Sequence, residues 1–229
     1  MPKVLENRLA ASSVGGSCRW QSFVALVRDA PWLTGGRVFG YSTALIAGTV
    51  AVMTWVLCGH GMADPMGRPI GTDFLRLWTA SYALLNGAER AIYDAGAFFA
   101  LEQVVTQPPT PDFYPWNYPP ASLLIVYPLA LLPYLGSLAV WTAAGLAGYL
   151  AALWRILPKP LCLWVGLAFP AVFWTVTHGQ NSFLTTSLFC WGLLLLPRRP
   201  ILAGILLGGL VCKPHLALLV PVALVAGRH

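Results

Sequence analysis

Pro119-Pro120-Ala121-Ser122-Leu123-Leu124-Ile125-Val126-Tyr127-Pro128-Leu129-Ala130-Leu131-Leu132-Pro133-Tyr134 is apolar enough to count as a membrane span, yet Pro128 and Pro133 interrupt it. Whether it crosses decides on which side of the bilayer every later loop lies. If it crosses, Ser137 to Trp154 is the return, which leaves Arg155, Lys159 and Arg198-Arg199 outside and His178 inside. Both basic clusters then break the rule that short cytoplasmic loops carry the excess of Lys and Arg. If the segment is instead re-entrant or interfacial and stays on the outer side, the charges agree. Ser137 to Trp154 then runs inward to Arg155, Leu161 to Thr177 outward to His178-Gly179-Gln180-Asn181, and Ser182 to Leu196 back to Arg198. Ile201 to Cys212 rises to Lys213-Pro214-His215, and Leu216 to Ala226 descends to Arg228. The last two segments have about a dozen residues each, roughly 18 Å of helix against a hydrocarbon core of ~30 Å, so Lys213 is expected below the outer surface, in a cavity.

The sequence upstream fits the same orientation. Residues 1–37 carry Lys3, Arg8, Arg19, Arg28 and Arg37 against Glu6 and Asp29, and read as a cytoplasmic N-terminal segment. Val38 to Cys58 is longer than a signal-peptide core, has no small-residue cleavage site, and reads as a retained first span running outward. The external loop 59–118 holds all the remaining acids: Asp64, Asp73, Glu89, Asp94, Glu102 and Asp112. With 57% hydrophobic and 10% charged residues, the chain is expected to be an all-α, multi-pass integral membrane protein, with the transmembrane domain over 38–229. The net charge of +6 is explained by bilayer orientation, so no nucleic-acid partner is expected. The five cysteines are scattered without CxxC or Cys/His spacing, which points to neither a disulfide framework nor a metal site.

Within the loop, Gly71-Thr72-Asp73-Phe74-Leu75-Arg76-Leu77-Trp78-Thr79-Ala80-Ser81-Tyr82 places Phe74, Leu77, Trp78, Ser81 and Leu85 on one helical face. This predicts an amphipathic helix on the membrane surface with Asp73 at its water-facing start. Asp73 is then either an N-cap for free backbone N–H groups or the base of an active site at the lipid boundary. Asn86-Gly87 ends the helix, Tyr93-Asp94 opens a second through about Val105, and Gln107-Pro108-Pro109 ends that one.

In this topology Asp73, Tyr118, His178-Gly179-Gln180-Asn181 and Lys213-Pro214-His215 converge on the outer face. An ammonium within the membrane costs ~3 kcal/mol or more unless it is paired or reaches water, so Lys213 is either functional or snorkels to the interface. His178 either packs on Trp174 or serves a site; His215 and the Gln180-Asn181 pair either cap broken helices or bind. Tyr93, Trp116 and Tyr118 are interfacial anchors or sugar platforms. A carboxylate on the water side can take a proton from a hydroxyl, and a sunken ammonium with an imidazole can hold a departing phosphate. That combination fits glycosyl transfer from a lipid-phosphate sugar. No Gly-rich phosphate loop, Walker motif, paired metal carboxylates or Ser/His/Asp arrangement supports a rival enzyme class.

Asp73-Phe74, Tyr93-Asp94, Tyr118-Pro119-Pro120, Trp141 in its apolar run, His178-Gly179-Gln180-Asn181, and Ala203-Gly204 followed by Lys213-Pro214 together resemble glycosyltransferase family 87 over about residues 38–228. The resemblance implies a GT-C-like helical bundle and mannosyl transfer from a polyprenyl-phosphate carrier to a lipid or glycan acceptor, on the periplasmic side of the inner membrane. It implies Asp73 as catalytic base, and the reading of the residues adds Lys213, with His215 or His178, at the donor phosphate and Tyr118, Gln180 and Asn181 at the substrates; no cofactor is expected, with a divalent metal left open. The chain departs from the pattern at His215, where a glutamine is expected, and reads as the first part of a longer protein. The alternative from another class is a non-catalytic scaffold or flippase-like lipid carrier, which has no need of Asp73 or Lys213.

Overall fold

The computed structural model describes residues 24–25 and 28–227. Lys3, Glu6, Arg8, Cys18, Arg19 and Arg228 of the sequence reading lie outside the described residues, as does most of the 1–37 segment. The chain divides into a unit ending at Tyr41 and a second unit from Ser42 onward. In the first, Arg37 closes the entry to a helix by donating to the Trp32 carbonyl at 2.8 Å. Apart from the helix that begins at Gly35, the remaining description concerns the second unit.

Helix α1 (Gly35–Leu57) has 23 residues, about 35 Å at 1.5 Å each, enough to cross a bilayer. It exposes Leu45, Val50 and Trp55, as a lipid-facing helix does, and Thr49 and Thr54 return their hydroxyls to the carbonyls of Leu45 and Val50. The loop beyond it leads to α2 (Thr72–Leu85), a 3₁₀ turn (Glu89–Tyr93) and α3 (Ala95–Val105). Asp94 caps α3 by accepting from the Ala97 amide at 2.8 Å, as the Tyr93-Asp94 signal predicts.

The 119–134 stretch forms no spanning helix. It breaks into α4 (Ser122–Val126) and a 3₁₀ turn (Leu129–Leu131), both too short to cross. Backbone groups freed by these breaks need partners, and α2 supplies them. Ser81 Oγ donates to the Tyr127 carbonyl (2.7 Å) and accepts from the Ala130 amide (2.8 Å), while Trp78 Nε1 donates to the Leu132 carbonyl (3.1 Å).

These contacts correct the picture of α2 as a helix lying on the membrane surface. Phe74, Leu75, Ala80 and Ala83 are fully buried, and Ile92, Phe98, Trp116, Val126, Tyr134 and Leu138 gather round them. The helix is the core of the loop domain: the 122–132 segment folds back onto the Trp78-Ser81 face that periodicity assigned to the membrane, and the 3₁₀ turn Glu89–Tyr93 and α3 pack against it as well. Tyr134 anchors the next long helix to it by donating to the carbonyls of Ile70 (2.8 Å) and Gly71 (3.1 Å).

Helix α5 (Tyr134–Ile156) is the second element long and apolar enough to cross a membrane. The stretch expected as one outward span is divided at Phe169-Pro170 into α6 (Pro160–Ala168) and α7 (Pro170–His178), bent by 59°; counted together they make a third candidate. Helix α8 (Ser182–Leu195) follows, about 21 Å long. Then come α9 (Pro200–Gly208), a 3₁₀ turn (Gly209–Cys212), α10 (Pro214–Ala217) and α11 (Leu219–Ala226). The break around Lys213 falls where the shortness of the two flanking apolar runs placed it.

Candidate active site

Two left-handed glycines position the site. Gly71 (φ 74°) precedes α2 and accepts the amides of Phe74 and Leu75 at 2.8 and 3.1 Å. Gly179 (φ 65°) ends α7 and lies on Phe74 so closely that a Cβ would stand 2.6 Å from the Phe74 Cβ and 2.8 Å from Leu138 Cδ1. Only glycine combines that conformation with that approach. Gly179→Ala is expected to cost about 2–5 kcal/mol, from left-handed strain plus overpacking, and to loosen the turn that carries Gln180. A lowered melting temperature in detergent would show it; an unchanged one would mean Phe74 yields freely.

Asp73 is the second residue of α2, and its side chain makes no capping hydrogen bond. The cap alternative is therefore overturned: the carboxylate is engaged by side chains and not by the amides of the first turn. One oxygen forms an ion pair with Arg76 Nη2, and the other accepts from Gln180 Nε2 at 2.8 Å. Arg76 Nη1 reaches on to the Pro115 carbonyl at 3.4 Å. With 24% of its side chain exposed, the Asp73 carboxylate is oriented from two sides yet open to an incoming group.

The neighbouring Tyr118 is half-buried. Burial pushes its hydroxyl above the ordinary tyrosine value, Arg76 opposes this, and the buried Asn181 side chain hydrogen-bonds it. Tyr93 donates to the Tyr118 carbonyl at 3.2 Å, and Trp116 packs edge-on against the Tyr118 ring at 5.0 Å. Tyr118, Asn181, Leu184 and Cys212 close around a space of only about 10 Å³, so this side of the site is a wall and not a pocket. Lys213, next to Cys212, is half-buried and within electrostatic reach of Asp73.

The structure thus brings together Asp73, Tyr118, Gln180, Asn181 and Lys213. It does not bring the two histidines with them. The left-handed turn at Gly179 sends His178 and Gln180 in different directions, so His178 stacks on Trp174 (4.7 Å between ring centres) and lines a separate cavity of about 250 Å³ with Asp64, Arg68 and Thr72. Its Nδ1 is engaged with Thr177 Oγ1 (2.9 Å) and the Trp174 carbonyl (3.2 Å). His215 is exposed on α10. Two residues were not anticipated in the site. Arg76 carried a signal, since an acid and a base three apart on a helix meet. So did Glu102, the one charged residue in the apolar helix α3.

A largely apolar groove of about 410 Å³ runs between α5 and α8 and ends at Gln180, the partner of Asp73. Gly145 and Gly148 line it and bring the helices together: a Cβ would stand 2.9 Å from Phe183 Cβ and 2.9 Å from Ser187 Oγ respectively. An oriented carboxylate, a cation within its field and an apolar groove that reaches the carboxylate's partner Gln180 therefore lie close together.

Residues 116–229 match the model of glycosyltransferase family 87. No curated protein and no solved structure matches the chain. The family match supports the resemblance read from the sequence and suggests a glycosyltransferase, with a sugar donor and acceptor in a membrane context. Tyr118, His178, Gln180, Asn181, Lys213 and His215 fall inside the matched stretch, while Asp73 and Arg76 precede it.

Proposed function

We propose that the protein is a multi-pass inner-membrane glycosyltransferase of GT-C-like architecture that moves a hexose, mannose by the resemblance, from a polyprenyl-phosphate carrier to an acceptor hydroxyl on the periplasmic side. The observation that carries this is the placing of Asp73 between Arg76 and Gln180, with Lys213 in electrostatic reach and an apolar groove ending at Gln180. Asp73 takes the proton of the acceptor hydroxyl as its oxygen attacks the anomeric carbon. The bond from that carbon to the phosphate oxygen breaks on the opposite face, and the phosphate leaves with the electron pair, held by the Lys213 ammonium. One displacement inverts the centre, so a β-linked donor gives an α-linked product. The groove suits the prenyl chain, while Tyr118, Gln180 and Asn181 orient the sugar and the base.

The test is transfer itself: the full chain in proteoliposomes, supplied with polyprenyl-phosphate-mannose and a lipid-linked mannoside, is expected to release free polyprenyl phosphate and form an α-mannosidic product. Release of carrier phosphate without a glycoside, or a product of retained configuration, would contradict the mechanism. The orientation makes its own prediction: single cysteines at 155 and 198 are labelled only from the cytoplasm, and those at 178 and 213 only from the periplasm, in a background lacking the native cysteines. External labelling at 155 in intact cells would reverse the topology and remove the site from the periplasmic side.

A further inference from the structure

Glu102 belongs to an external-loop helix and is fully buried, with a relative exposure of 0%. Its Oε2 accepts from the Tyr114 amide at 3.1 Å, and the carbonyl of the next residue, Pro115, accepts from Arg76 Nη1 at 3.4 Å. The two residues Tyr114 and Pro115 are therefore held at the Tyr114 N–H by the Glu102 carboxyl and at the Pro115 carbonyl by the Arg76 guanidinium. Two atoms in this small space have no hydrogen-bond partner among the described residues: Glu102 Oε1 and Arg76 Nε. One is an acceptor and the other a donor, their side chains lie within electrostatic reach, and each is buried where an unmade bond is costly.

We propose that Glu102 is a positioning residue for Asp73, acting through Arg76, which the two carboxyl groups share. With Glu102 protonated, Arg76 stays wholly on Asp73 and occupies the oxygen that must receive the acceptor's proton. With Glu102 ionised, the guanidinium is drawn toward Oε1, and the Asp73 oxygen is released. Nothing is oxidised or reduced; one proton leaves Glu102 for solvent and one charge-assisted hydrogen bond is exchanged for another. The inference rests on Asp73 being the base of the proposed reaction.

The groups around Glu102 leave it as the one that changes charge near neutrality. Burial pushes its carboxyl up to about 7, against the lowering effects of the Tyr114 amide and Arg76. Tyr114, whose hydroxyl burial and Asp112 push up to about 12 while Arg68 opposes them, stays neutral there. From α5, Tyr134 presents a hydroxyl already given to the carbonyls of Ile70 and Gly71. Because the folded-state value lies above the unfolded one of 4.5, the folded state holds the extra proton between them. Stability from this group is complete below about pH 4.5 and is lost as pH rises through about 7. An energetic cost accepted on the alkaline side is what a residue retained for its charge would show.

Glu102→Gln keeps the shape and the acceptor for the Tyr114 amide but cannot ionise. In the wild type, infrared titration should show a protonated-carboxyl band lost around pH 7, with the Asp73 carboxylate band, assigned by its absence in Asp73→Asn, shifting over the same range. In Glu102→Gln, and in Arg76→Lys as a second variant, the Asp73 band should stay fixed. Transfer at saturating donor should rise about tenfold between about pH 6 and pH 8 in the wild type, as for a single ionisation, and stay level in Glu102→Gln. An Asp73 band that shifts equally in Glu102→Gln, or a pH-rate limb that survives there, overturns the relay. Absence of transfer at every pH in the wild type would refute the transferase reading alone, and the infrared arm would still decide whether Glu102 governs Asp73.

Discussion

Asp73→Asn is expected to slow glycosyl transfer by about 10²–10⁴-fold at saturating donor and acceptor, the usual worth of a positioned general base. The amide keeps the volume of the carboxylate and can still accept one hydrogen bond, so Gln180 or Arg76 retains a partner, but it cannot take a proton. Arg76 loses its ion pair while its side chain is only 16% exposed. A cost of about 1–3 kcal/mol is therefore expected beside the kinetic loss, seen as a melting temperature lower by a few degrees. The two effects separate because stability is read without substrate and rate is read per folded molecule. Glu89→Gln, which changes an exposed acid of the same loop, serves as the control and should leave both unchanged. An Asn variant that transfers sugar at near wild-type rate would strip Asp73 of the base role and leave the Asp73–Arg76–Gln180 cluster as a purely structural clasp.

That clasp also marks how far the sequence could be read. The sign of charge in short loops, with no contact information, put Asp73, Tyr118, Gln180, Asn181 and Lys213 on one side, and the structure brings those five together. Periodicity located α2 to within a residue, and the paired Tyr93-Asp94 signal located the α3 cap. It misjudged the environment of α2, because an amphipathic helix is the same string whether a membrane or a folded-back chain lies against its apolar face. Ser81 satisfies a carbonyl and an amide 46 and 49 residues away, and no local pattern announces such a partnership.

His178 was misplaced for a different reason. Adjacency in sequence predicts adjacency in the site, whereas the one left-handed residue between His178 and Gln180 turns their side chains apart. Glu102 was passed over because an acid in an external loop needs no explanation until it is seen to be buried. Its helix, Ala95–Val105, has one charge among apolar residues, and that composition was the available hint. Asp73 was visible because it stands at a helix start after a glycine, but its actual partners, three and 107 residues away, divide into one that helical spacing predicts and one that only the fold supplies.

Lys213→Met carries the second large effect and distinguishes an enzyme from a membrane scaffold. Lys213 precedes the four-residue helix α10, and its backbone amide donates to the Leu210 carbonyl at 2.8 Å, a bond that Met retains. The substitution therefore leaves the break in the helix alone, keeps the aliphatic stem and removes only the ammonium. If that ammonium holds the departing phosphate, its loss in a site shielded from water should cost roughly 2–4 kcal/mol of transition-state stabilisation, a rate lower by about 30- to 1,000-fold. Donor affinity should weaken as well, because the ground-state phosphate loses a charge-assisted hydrogen bond. A lysine that merely reaches for the interface behaves in the opposite way: removing its charge relieves a membrane cost, so melting temperature holds or rises while rate and affinity stay put. Polyprenyl-phosphate-mannose affinity, initial rate and melting temperature measured on one purified pair tell the two apart. Unchanged affinity and rate beside unchanged or greater stability would eliminate the phosphate role and leave Asp73 without a cationic partner for the leaving group.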